Sequence, residues 1–122
     1  MAQSNGHRDL IVWQEALRLA EAVYRVTAKF PKEELFGITA QMRRSAVSIP
    51  CNVAEGAGRN SRKELAQFVG IASGSRAELE TQLELAYRLG YLDRRETEIR
   101  EALERVGKLL VGLRRSIRDI GR

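Results

Sequence analysis

Few side chains in this sequence could make or break a covalent bond. The one histidine, His7, stands near the N-terminus. Neither a two-histidine zinc site nor a serine–histidine couple can therefore be assembled within one chain. No Glu-x-x-His pair occurs, which removes the di-iron centre that helical bundles can carry. A helical ribonuclease working through an arginine–histidine pair would need a histidine on a helix. Gly56 and Gly58 do not belong to the Gly-x-x-x-x-Gly-Lys-Ser/Thr spacing of a phosphate loop. Cys51, the single cysteine, has no histidine to activate it and is expected to be a buried structural thiol. Glu78, Glu80 and Glu84 are expected to form a solvated helix face. The sequence thus predicts no catalytic, metal or cofactor site, and a protein that is not an enzyme.

Two polar constellations remain. The first lies in and around AVSIPCNVAEGAGRNSRKE, residues 46–64. If a helix continues through Pro50, then Gln41, Arg44, Ser45, Ser48, Asn52, Glu55 and Arg59 share an arc of roughly 100°. That is the spacing of one helix face. Pro50 withdraws the bond to the Ala46 carbonyl and should kink the helix, with Ser45 or Ser48 available to the freed carbonyls. Ser, Asn and Gln are poor mid-helix residues unless their groups are bonded. The stripe therefore reads as a structural network of Gln41, Arg44, Ser48, Asn52 and Glu55, within the bundle or between subunits, ahead of a ligand site or a solvated face.

The second constellation is basic. The chain carries 21 Lys and Arg against 16 Asp and Glu, a net charge of +5. Residues 105–122 hold six basic side chains and only Asp119 as an acid. Arg105, Lys108, Arg114, Arg115, Arg118 and Arg122 form this cluster, and Arg43, Arg44, Arg59, Arg62 and Lys63 form another near the polar stripe. Glu101–Arg105 and Glu104–Lys108 are spaced to pair at i,i+4, and cations at a helix C-terminus also complement its dipole. Aromatic side chains are not interleaved with these cations. Any nucleic-acid contact is therefore expected at phosphates, with little sequence specificity.

The elements that must hold these residues are helices. A chain of 122 residues with 43% hydrophobic and 6% aromatic residues and only two prolines is one α-helical domain. One cysteine gives no disulfide framework, and the N-terminus has no apolar leader and no stretch suited to a membrane span. A cytoplasmic protein is the expectation, with residues 1–8 a flexible tail and 9–122 the domain. The first helix is predicted from Leu10 to Lys29, capped by Asp9, with Leu10, Trp13, Leu17, Ala20, Tyr24 and Thr27 inward. A second opens near Glu34 and buries Ile38, Met42, Ala46, Ile49, Val53 and Ala57. Ser61-Arg-Lys-Glu64 is a capping box for the third, which runs to Leu89 and stops at Gly90. Asp93-Arg-Arg-Glu96 is a second box opening the fourth, with Ile99, Leu103, Val106, Leu110, Leu113, Ile117 and Ile120 inward. Short connectors favour an up-and-down four-helix bundle. The third helix mixes Gly70, Ser73, Gly74 and Ser75 with large residues, which suggests a second packing face toward another subunit.

QMRRSAVSIPCNVAEGAGRNSRKE followed by IASGSRAELETQLELAYRLGYL resembles the four-helix-bundle family of 23S ribosomal RNA intervening-sequence proteins. DLIVWQEALRLAEAVYRVTAKFPKEELFGIT upstream fits the same family, so the resemblance spans about residues 9–92. Gln41, Arg43, Arg44, Ser48, Pro50, Asn52, Glu55, Gly56 and Arg59 fall on its motif, as do Gly74, Ser75 and Glu78. Cys51 stands where alanine is usual and Arg76 where leucine is usual. The resemblance implies a barrel-like homopentamer. The family includes proteins encoded within insertions in ribosomal RNA genes and the accessory protein of diversity-generating retroelements, which resembles a nucleic-acid-binding partner of a reverse transcriptase. Five copies would carry +25, a substantial field for a polyanion. The expected protein is a homo-oligomer that binds RNA or DNA. The alternative is a scaffold for another protein, with no nucleic-acid role.

Overall fold

The computed structural model describes residues 6–120. They form four helices: α1 (Ile11–Thr27), α2 (Ile38–Ala57), α3 (Arg62–Arg88) and α4 (Glu98–Ile120), with 3-10 turns at Gly6–Asp9 and Lys32–Glu34 and no strand among the described residues. Cross-helix contacts fix the directions. Arg25 meets Glu98 and Glu15 meets Arg105, so α1 and α4 are antiparallel. Ser48 meets Ser75 across α2 and α3, and Arg76 reaches the Leu103 carbonyl across α3 and α4. This is an up-and-down bundle. Its core runs the full length, with Leu19, Val23, Met42, Ile49, Val53, Val69, Leu79, Ile99, Val106 and Leu110 all nearly inaccessible.

α1 departs from the expected register. It starts after Leu10, which makes no side-chain cap bond, so Asp9 is not its cap. The buried residues are Val12, Ala16, Leu19, Ala20, Ala22, Val23 and Thr27. Leu17 and Tyr24, expected inward, are 38% and 46% exposed. The cause is contact with two neighbours at once. α1 packs on both α2 and α4, so its buried arc centres on Leu19 and Val23, and small Ala16 and Ala22 let the backbones close in. Of the expected tail, Gly6–Arg8 lie in the 3-10 turn, where His7 meets the Trp13 ring edge-on at 4.9 Å and Gln14 donates to the Arg8 carbonyl. Residues 1–5 lie outside the described residues.

α2 begins at Ile38 rather than near Glu34, because Lys32–Glu34 closes a separate 3-10 turn and Gly37 is non-helical. It then runs unbroken through the buried Pro50. At its end Gly56 is required for close approach: a Cβ there would lie 3.0 Å from the Phe68 Cβ and 3.1 Å from a Leu65 methyl. α3 starts as predicted, with the Ser61 hydroxyl accepting from the Glu64 amide at 3.1 Å. It ends at Gly90, whose φ of +78° suits glycine.

The second capping box does not form. The Asp93 carboxylate accepts from the Arg95 amide at 2.8 Å and from its guanidinium at 2.7 Å. The carboxylate is thus spent on an Asx turn two residues on, and Glu96 donates to the Asp93 carbonyl. The helix opens later, where the Glu101 amide reaches the Thr97 carbonyl. From there the predicted inward series is buried or half-buried through Ile117, while the Ile120 side chain lies outside the described residues.

Candidate nucleic-acid interface

The polar stripe of α2 divides in two. Its half-buried part is a seam between α2 and α3. Ser48 and Ser75 share a hydrogen bond of 2.8 Å, and the Asn52 amide donates to both the hydroxyl and the carbonyl of Ser48 at 2.9 and 2.8 Å. The Ser48 hydroxyl thus goes to Ser75 and Asn52 instead of to the carbonyl freed by Pro50. The exposed part is an ion cluster in which Arg59 pairs with Glu55 at 2.9 Å and lies 3.9 Å from Glu64, over the Phe68 ring. Gln41 and Arg44 are exposed and make no side-chain hydrogen bond or ion pair among the described residues. Arg44 and Glu55, both in the expected network, do not meet because just over three helical turns separate them.

The basic candidates also sort by what they touch. Arg43 is held internally: its Nε donates to the Thr27 hydroxyl at 2.9 Å and its guanidinium covers the Tyr24 ring. Arg105 pairs at 3.0 Å with Glu15 of α1, a half-buried carboxylate, and not with Glu101 on its own helix. Arg44, Arg62, Lys63, Lys108, Arg114, Arg115 and Arg118 are exposed and form no ion pair among the described residues. Arg122 lies outside the described residues. Because α3 and α4 are antiparallel, the start of α3 lies at the same end of the bundle as the finish of α4. Arg62 and Lys63 therefore share an end with Arg114, Arg115 and Arg118, although some fifty residues separate them in sequence.

The opposite end is self-neutralised. Arg94 and Arg88 both pair with Glu84, at 2.8 and 2.9 Å. Hydrogen bonds from Arg94 and then Arg88 hold the Glu84 carboxyl down at about 2. Arg95, through its side chain and its amide, does the same to Asp93, also to about 2. The Tyr91 hydroxyl donates to Glu34 at 2.8 Å, which pushes its pKa up.

Three features differ from the sequence expectations or go beyond them. Arg76, half-buried, donates from Nε to the Leu103 carbonyl at 2.8 Å and lies flat against Gly107, where any Cβ would collide with the guanidinium. The signal was available: Gly107 interrupts a strongly amphipathic helix at a cost of about 1 kcal/mol against alanine. Next, Tyr24, Leu35, Phe36 and Val47 form an open apolar depression beside Arg43 and Arg44, with Phe36 92% exposed. Finally, Cys51 is exposed, contrary to the buried thiol expected, because it points away from the α2 face that meets α3.

Among the described residues no group of three His, Cys, Asp or Glu side chains could hold a metal, and no helix is long and apolar enough to cross a membrane. Fold and charge thus define an all-α four-helix bundle with one uncompensated basic end. The chain belongs to the 23S rRNA-intervening sequence protein family, whose model matches residues 8–112. It is similar in fold to a protein of unknown function from the S23 ribosomal protein family of Bacteroides thetaiotaomicron. The two are 27% identical, with a TM-score of 0.79, over 86% of this chain and 96% of that one. No curated protein matches the chain.

Proposed function

We propose that this protein is a non-enzymatic, homo-oligomeric helical bundle that binds RNA or DNA through its basic surfaces. The observation that carries this reading is the gathering of Arg62, Lys63, Arg114, Arg115 and Arg118 at one end without acidic partners. Unpaired guanidinium and ammonium groups gathered at one end repel one another, and a polyanion relieves that repulsion while releasing its own counterions. The cations are exposed, and no aromatic stands among them, so they contact phosphates and leave bases unread.

Fluorescence anisotropy of labelled RNA and DNA tests the reading. Binding at low salt that weakens steeply as salt rises is the expected result, and no binding at low salt overturns it. For the assembly, light scattering should report about 69 kDa, five copies of the 13.8 kDa chain. A mass of one chain refutes the pentamer.

The exposed apolar depression around Phe36 favours a second reading, a scaffold that holds another protein and has no nucleic-acid role. Under that reading the isolated protein shows no salt-dependent nucleic-acid affinity.

A further inference from the structure

Beside the basic end, one face of α4 and the Arg76 side chain of α3 border an open groove of about 530 Å³, lined by Arg76, Glu104, Gly107, Lys108, Val111, Gly112 and Arg115. We propose that this groove seats one single strand of nucleic acid, held by its phosphodiester backbone against Arg76, Lys108 and Arg115. The inference rests on the nucleic-acid reading above and assigns it a place.

Arg76 anchors the groove. Its Nε is committed to the Leu103 carbonyl, which fixes the plane of the guanidinium against the bare backbone at Gly107. The terminal nitrogens have no protein acceptor among the described residues. A guanidinium fixed in this way offers parallel N–H donors in the geometry a phosphate accepts, with little side-chain entropy left to lose. Lys108 and Arg115 stand two turns apart on α4, about 10.5 Å along the axis. Both are exposed, and neither is paired with Glu104, the one carboxylate of the lining. Cations arranged along the helix direction suit a chain lying lengthwise in the groove better than a compact anion.

The floor supports the same occupant. Gly112 has open space where a side chain would stand, and Val111 is half exposed beside it. Together they leave a shallow, uncharged shelf between the cations on which a sugar can rest. No aromatic side chain lines the groove, so nothing there stacks on a base. The groove leads through Arg115 toward the basic end at Arg114 and Arg118.

Salt titrations of labelled single-stranded oligonucleotides, using the full-length protein, test the proposal. Replacing Lys108 and Arg115 together by glutamine should reduce the dependence of log affinity on log salt by about 1.4, the value for two lost contacts to a single strand. Gly112→Glu, placed in open space where it should not disturb folding, should weaken binding by about tenfold or more at low salt. Arg88→Gln with Arg95→Gln removes the same charge from the opposite end and should leave the slope unchanged. Arg76→Gln should weaken binding, with thermal melting showing whether the fold persists. If the groove variants bind like wild type, or if the opposite-end control loses as much, the groove assignment falls while the nucleic-acid reading stands. If wild type itself fails to bind, both fall.

Discussion

Gly56 and Glu84 show how single residues are constrained here. Gly56 sits where α2 meets the first turns of α3, and an added methyl would press on the Phe68 Cβ, on the Leu65 carbonyl and on the Leu65 side chain, which packs against the core. Gly56→Ala should therefore destabilise the fold by about 1–3 kcal/mol despite alanine's better helix propensity. Chemical denaturation would reveal this as a lower midpoint at constant slope. Glu84 is half-buried and doubly paired, and its carboxyl is held at about 2 against an ordinary 4.5. A depressed carboxylate contributes stability above its unfolded pKa and loses it as pH falls through the folded one. Glu84→Gln should therefore remove part of the stability lost by wild type between about pH 4.5 and 2. The two proteins should converge at the acid end of a melting-temperature series. The role of Arg76 was the hardest to anticipate: the arginine stands where leucine is usual, but its own helix gives no periodic signal for what it touches. Only its position across from Gly107 gives it meaning.

At the level of elements, success and failure turned on which partner each side chain found. Ser61 capped α3 because Glu64 stands three residues on with nothing nearer competing. Ser61→Ala should cost about 1 kcal/mol, measurable in the same denaturation experiment. Asp93 has the same spacing to Glu96, but Arg95 lies closer and captures the carboxylate first. The inward face of α2 and that of α4 were legible because each shows one clean stripe. That of α1 was not, since an alanine-rich helix wedged between two others can bury small residues and leave Leu17 and Tyr24 outside. Helix direction decided the basic end too. Charge along the sequence revealed a basic C-terminus, but only antiparallel packing brings Arg62 and Lys63 beside it.

At the level of the whole molecule, an exposed apolar face and a basic end coexist on one small bundle. Phe36 distinguishes what the apolar face is for. If copies of the chain bury it, Phe36→Asp should reduce the light-scattering mass toward 13.8 kDa while leaving helical content intact. An unchanged mass would assign that face to something other than self-association.

Charge is also distributed unevenly along the long axis. Guanidinium–carboxylate pairs close off one end, at Glu84 and Asp93, while the other end pairs Arg59 with Glu55 and leaves Arg62, Lys63, Arg114, Arg115 and Arg118 without an ion pair among the described residues. The bundle is therefore an electric dipole as well as a net cation. In the field of a polyanion it experiences a torque before any contact forms, and it rotates its positive pole forward during the encounter. For a polyanionic partner of the kind proposed, the landing orientation would thus be selected in solution, at a distance set by the ionic strength.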